Sequence, residues 1–179
     1  INIIRKINLL ICFEGKEVRN ELTNKNRFNL AFLTLILIFQ LLFPLRHWLY
    51  ENELFWSEEG YRFSWRVMLI EKTGQTVFTV TDMHSNKRIV VDNTLFLTSF
   101  QESKMSFQPD MILQYAHFLG NYYENLGFKK PKVTVDSFVS LNGRLSSRFV
   151  KKNIDILSIE DNLKQCNWIT PFKDEIKGF

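Results

Sequence analysis

The chain has few of the residues that build cross-linked or metal-bound scaffolds. Its 179 residues include two cysteines, Cys12 and Cys166, and three histidines, His47, His84 and His117, which stand apart from both cysteines. There is no disulfide framework to read and no metal-ligand spacing. Charge is equally unconcentrated: 23 lysines and arginines against 19 acidic residues give a net charge of +4. The basic residues are scattered rather than massed on one helix or loop, so nucleic acid is not expected as a partner. No internal repeat or low-complexity tract occurs. No initiator, basic n-region and cleavage site stand in signal-peptide order at this end, so the membrane address is expected to come from Phe28 to Leu45 itself or from upstream spans. Ile1 to Phe13 reads as the tail of an apolar segment that begins earlier, and the chain is expected to be a fragment or a processed form.

What the chain has in quantity is aromatic surface, 15% of residues with 17 phenylalanines, which fits a protein that meets lipid or a greasy ligand. Phe28 to Leu45 carries no charge, and its polar residues are only Asn29, Thr34 and Gln40. At a rise of about 1.5 Å per residue this run just crosses a hydrocarbon core, and Pro44 suits its exit; a buried soluble helix is the competing reading. Arg5, Lys6, Lys16, Arg19, Lys25 and Arg27 precede the run, whereas Glu51, Glu53, Glu58 and Glu59 follow Arg46. The positive-inside rule then puts the N-terminal side in the cytoplasm and the rest outside. Cys12 and Cys166 would fall on opposite sides of the bilayer, which argues against a bond between them. The expected organisation is a cytoplasmic or inter-helix segment over 1–27, a transmembrane helix over 28–45 and an extracytoplasmic domain over 46–179. The Ile, Asn and Lys-rich composition points to a bacterial origin, with that domain periplasmic.

The domain reads as an α+β unit in which one main helix packs on a β-rich sheet. Tyr61 to Leu69 has strand period, Lys72 to Gln75 supplies a turn, Thr76 to Thr81 is a second strand, His84 to Lys87 a turn and Arg88 to Val91 a third strand, giving a meander. Pro109 opens a helix to about Leu126 with Met111, Tyr115, Phe118, Tyr122 and Leu126 on its apolar face, and Gly127 stops it. Val133 to Leu141 alternates again, Asn142-Gly143 marks a hairpin, and Leu145 to Val150 returns.

Five ordered blocks carry a resemblance. They are Leu42-Phe43-Pro44-Leu45-Arg46-His47, Arg62-Phe63-Ser64-Trp65-Arg66-Val67-Met68, Gln108-Pro109-Asp110-Met111, Val135 to Arg144, and Trp168-Ile169-Thr170-Pro171. Together they resemble the vitamin K-dependent gamma-glutamyl carboxylase family. The resemblance implies a polytopic membrane enzyme whose last helix and extracytoplasmic domain correspond to this chain. It implies vitamin K hydroquinone as cofactor, oxygen and carbon dioxide as co-substrates, and a glutamate-containing protein or peptide as substrate, beside the lipid bilayer.

Within that resemblance, His47 is the candidate catalytic residue, since an imidazole at a span end can donate to a carboxylate or move a proton near neutral pH. An interfacial histidine between Arg46 and Trp48 is the bland alternative. Tyr61, Arg62, Ser64 and Arg66 fall in a block that the family associates with glutamate binding. Phe63 and Trp65 read as core, and Glu58 and Glu59 as a solvated loop. His84 and His117 read as solvent-facing, and Asp136 to Arg144 as structural. The family's catalytic base, a lysine on an upstream membrane helix, has no counterpart before Phe28, so the chain alone is expected to be inactive. A binding or assembly module derived from the same family is the alternative function.

Overall fold

The computed structural model describes residues 24–66, 70–160 and 166–174. Expectations that rest on Ile1 to Phe13, Cys12, Lys6, Lys16 or Val67 to Leu69 lie outside these residues. The chain divides into two compact units, Ile1–Leu41 and Leu42–Phe179.

In the first unit the uncharged run forms helix α1, Asn24–Leu42. Its Leu, Ile and Phe side chains point to all sides and, apart from the half-buried Ile36, stay exposed from Phe28 to Leu42. A helix with no polar face has no stable arrangement in water and suits a bilayer. Thr34 folds its hydroxyl back, donating to the Leu30 carbonyl at 2.8 Å, so its polarity is masked. Pro44 removes a backbone donor in the next turn, where the chain changes to a 3-10 helix, Phe43–Leu49.

The second unit is built on a four-stranded antiparallel sheet in the order β2-β1-β3-β4. Strand β1 (Lys72–Asp82) and strand β3 (Pro131–Leu141) pair along their whole length, from Lys72 opposite Leu141 to Asp82 opposite Pro131. Strand β2 (Arg88–Val90) and strand β4 (Ser147–Arg148) are short edges, which limits exposed ladder groups. Phe78 and Val80 of β1 and Val133, Val135, Val139 and Leu141 of β3 face inward. Val77, Asp136 and Phe138 lie on the other, wetter parity.

Helix α4 (Pro109–Asn125) covers the inner face of the sheet with Ile112, Ala116, Leu119 and Tyr123. Before it come a short helix α2 (Leu54–Ser57) and helix α3 (Ser99–Met105). Helix α3 starts with a capping box in which Thr98 accepts from the Gln101 amide and the Gln101 side chain accepts from the Thr98 amide.

Several expectations need correction. Tyr61 to Arg66 is a chain of turns, with Tyr61 N–H donating to Glu58 and Ser64 N–H donating to Tyr61. The alternation there was misleading because Phe63 and Trp65 have positive φ and point outward, so the segment cannot join a ladder. Lys72 to Gln75 is strand, not turn. Gly74 is needed inside it because a Cβ there would lie 2.8 Å from the Ser106 carbonyl oxygen. The buried stripe of α4 is rotated from the expected one: Phe118, Tyr122 and Leu126 are exposed and Ile112, Ala116 and Leu119 are buried. Phe118 and Tyr122 instead pack edge-on to Phe96 at 5.5 and 5.0 Å. The Pro109 start, the Gly127 stop at φ +96° and the Asn142-Gly143 turn appear as expected.

Tyr115 sits edge-on to Phe78 at 4.9 Å, and its buried hydroxyl has no hydrogen-bond partner among the described residues. Burial first, then Glu102, Tyr123 and Asp92, push the phenol up to about 12 from 10.0. A folded-state pKa above the unfolded one contributes stability below pH 10 that is lost as pH rises through 10 towards 12. Tyr115→Phe keeps the ring contact and removes the unpaired hydroxyl. At neutral pH it is expected to be as stable as the parent or up to about 1 kcal/mol more stable. In thermal melts the gap between the two proteins should widen in favour of the variant above pH 10; a parallel alkaline decline in both would count against this assignment.

Candidate functional site

The site lies where the 3-10 helix, the turn after α2 and the first turn of α4 meet. Helix α2 ends because Glu58 adopts a left-handed backbone, φ +61°, and Gly60 follows at φ +71°. Gly60 is required by the approach of the 3-10 helix: a Cβ would lie 2.9 Å from the His47 Cα. This close packing holds the turn against His47.

His47 is oriented by its own helix. Nδ1 lies 2.9 Å from the Pro44 carbonyl oxygen, which only accepts, so Nδ1 carries the proton and donates. In the neutral ring Nε2 then carries the lone pair; it is buried and without a hydrogen-bond partner among the described residues. Trp48 closes one side edge-on at 5.8 Å.

Arg46 and Arg62 form the next layer. The Arg46 guanidinium lies over the Phe43 ring at 4.5 Å and donates from Nη2 to the Arg62 carbonyl at 2.9 Å. Arg62 in turn pairs with Asp110, the acidic residue in the first turn of α4. Both side chains of that pair are well exposed, so it orients Arg62 more than it stabilises the fold.

Behind them sits a buried pair that the sequence reading missed. The Lys72 side chain is 1% exposed and its Nζ is 2.8 Å from Glu58 Oε1. Its remaining donors go to the Trp56 carbonyl at 2.9 Å and the Phe107 carbonyl at 3.0 Å. The Phe149 ring lies 4.9 Å from Nζ. Burial pulls the Lys72 pKa down, and Glu58 partly offsets this. Glu59 is 8% exposed. It accepts from Asn52 Nδ2 at 2.8 Å and from the Cys166 amide. The two glutamates are thus paired and enclosed, and the expectation of a solvated loop is overturned. They point apart, as adjacent residues in a turn do, but each finds its own partner.

Between these groups opens a cavity of about 730 Å³. Its lining includes Arg46, Glu58, Glu59, Arg62, Asp110 and Trp168. Of the five residues named from the sequence, Arg62 lines it among the described residues, while His47, Tyr61, Ser64 and Arg66 flank the turn outside it. Tyr61 stands edge-on to Phe55 at 6.3 Å, and burial followed by Glu58 raises its pKa, so it remains a phenol and a donor at neutral pH. Ser64 is buried, with its hydroxyl unpartnered among the described residues. The Arg66 guanidinium lies 5.7 Å from the Phe55 ring centre. His117 is half-buried, with Nε2 2.9 Å from the Ile159 carbonyl, and so is structural rather than solvent-facing. His84 is exposed in its turn.

Chemically the arrangement offers an imidazole whose Nδ1 is tied to a backbone carbonyl, two arginines held by backbone and carboxylate contacts, and a largely apolar cavity that carries charges of both signs. A family model described as vitamin K-dependent gamma-carboxylase, lumenal domain, matches residues 25–175. No solved structure matches the chain.

Proposed function

The chain belongs to the vitamin K-dependent gamma-carboxylase lumenal-domain family and pairs a lumenal domain with one apolar helix long enough to span a membrane; on that footing we propose that it is the C-terminal part of an integral membrane carboxylase. The proposed reaction converts protein glutamate to gamma-carboxyglutamate, coupled to oxidation of vitamin K hydroquinone to its epoxide by oxygen. The family match over 25–175 is the observation that carries this reading.

The reaction removes a proton from a very weak carbon acid beside a carboxylate, so it calls for groups that hold negative charge in a dry setting. The hydroquinone, with oxygen, supplies the strong base when bound. The wall of the cavity is mixed: Leu113, Ile154, Ile159 and Trp168 stand beside Arg46, Arg62 and Asp110, so it offers apolar surface together with charges that can hold a carboxylate. We assign to this chain the handling of the glutamate and leave the base-forming step to the rest of the complete protein. Arg62 presents its guanidinium to a substrate carboxylate, with Arg46 beneath it, and Tyr61 donates as a neutral phenol. Ser64 and Arg66 hold the turn that positions them. His47 offers Nε2 to a proton at the carboxylate end.

The complete membrane protein, reconstituted with vitamin K hydroquinone, bicarbonate and a glutamate peptide, should incorporate carbon dioxide in a quinone-dependent way. Residues 1–179 alone should incorporate none above a no-quinone blank. Incorporation by residues 1–179 would place the base within this chain and overturn that division of labour; no incorporation by the complete protein would favour a binding or assembly role.

A further inference from the structure

Phe63 and Trp65 sit at φ +67° and +59°, a left-handed backbone that bulky residues seldom adopt. The strain does not serve to bury them. Their side chains are 72% and 68% exposed, while Ser64 between them is turned inward and buried. At the end of the 3-10 helix Trp48 and Leu49 are likewise exposed, 71% and 83%. Four large apolar side chains are therefore presented outward in two neighbouring stretches.

These stretches are fastened to each other. The Phe63 ring meets the Phe43 ring at 5.7 Å, and Arg46 donates to the Arg62 carbonyl at 2.9 Å. Phe43 directly follows Leu42, the last residue of α1, so the loop is tied to the point where the apolar helix ends. Whatever medium surrounds that end also surrounds the loop. Two of the four residues are tryptophans, and Arg46, Arg62 and Arg66 stand among them, the mixture favoured at a bilayer interface with anionic headgroups.

We propose that the loop Phe63–Trp65, together with Trp48 and Leu49, is a lipid-interface anchor seated in the headgroup layer, which fixes the lumenal unit at the membrane surface. The positive-φ backbone is what aims both rings to the same side while Ser64 faces in. The anchor goes beyond the carboxylase reading, since it requires only that α1 spans a bilayer.

The test uses residues 1–179 in nanodiscs of phosphatidylcholine and phosphatidylglycerol, brominated either near the headgroup end of the acyl chain or near its terminus. Trp56 and Trp168 are buried and serve as constant background. Shallow bromine should quench emission strongly and deep bromine weakly, and Trp65→Phe should remove about half of the shallow-quenchable part. Phe63→Trp should add to it. If Trp65→Phe leaves that part unchanged, the proposal fails. Iodide quenching would then show a loop in water, and shielding from both quenchers that depends on protein density would show a second copy covering it.

Discussion

Replacing His47 by alanine in the complete membrane protein is expected to lower kcat/KM for carbon dioxide incorporation by about 100-fold or more, the range over which a positioned proton-transfer group acts. The imidazole is prepared for such a role before substrate arrives. The Pro44 carbonyl takes the Nδ1 proton's hydrogen bond, so the ring cannot exchange tautomers freely, and Nε2 is left as a buried acceptor. His47→Asn imitates the Nδ1 contact but has nothing at Nε2, and should be nearly as inactive as the alanine variant. His47→Gln reaches the Nε2 position and should retain more activity. Membrane insertion and expression should be normal in all three. Unaltered turnover in His47→Ala would reduce the histidine to an interfacial packing residue beside Trp48.

The second large effect concerns folding. Glu58→Ala removes the charged partner of Lys72, whose side chain is 1% exposed, and leaves an ammonium enclosed by Phe149 and Phe107. Breaking a buried pair from one side costs about 3–5 kcal/mol, because the remaining charge is desolvated without compensation. The pH dependence has a definite sign. Burial already holds the Lys72 pKa below 10.5, and loss of Glu58 removes the two larger of the three effects that raise it, leaving only the Asp110 charge. Between the lowered folded pKa and 10.5 the unfolded chain binds more protons, so the variant regains stability relative to the parent as pH rises through that window. Adding Lys72→Met to Glu58→Ala should recover most of the loss at neutral pH, since an apolar side chain of similar length suits the pocket. A double variant as unstable as Glu58→Ala would show that the turn, not the lone charge, is what fails.

The elements visible in the sequence are those specified by local chemistry. Pro109 and Gly127 bound α4, Asn142-Gly143 sets the hairpin, and β3 alternates strictly because one face is buried and the other wet. What escaped detection depends on partners distant in the chain. Strand β1 begins at Lys72 only because Leu141 and its neighbours pair with it, and Gly74 looks like a turn until Ser106 is seen pressed against it. The α4 stripe rotated because Phe96 captured Phe118 and Tyr122 outside the core. Lys72 does share the inward parity of Thr76, Phe78 and Val80. With β1 extended to its true start, a lysine on that parity would have pointed to a buried partner and to the glutamates of the preceding turn. In the site itself, the Pro-x-x-His spacing located His47, whereas the enclosure of Glu59 by the Cys166 amide joins residues far apart and left no local trace.

The indole of Trp56 donates to the Thr170 carbonyl at 2.7 Å and its ring lies 5.0 Å from Phe172. The latch that receives this tryptophan is thus made by residues synthesised after every strand of the sheet. Trp56 therefore lacks its carbonyl acceptor until the segment around Thr170 has been made, so closure of the lumenal unit registers arrival of its distal segment. Any chain interrupted before that point leaves the Trp56 indole N–H without this acceptor.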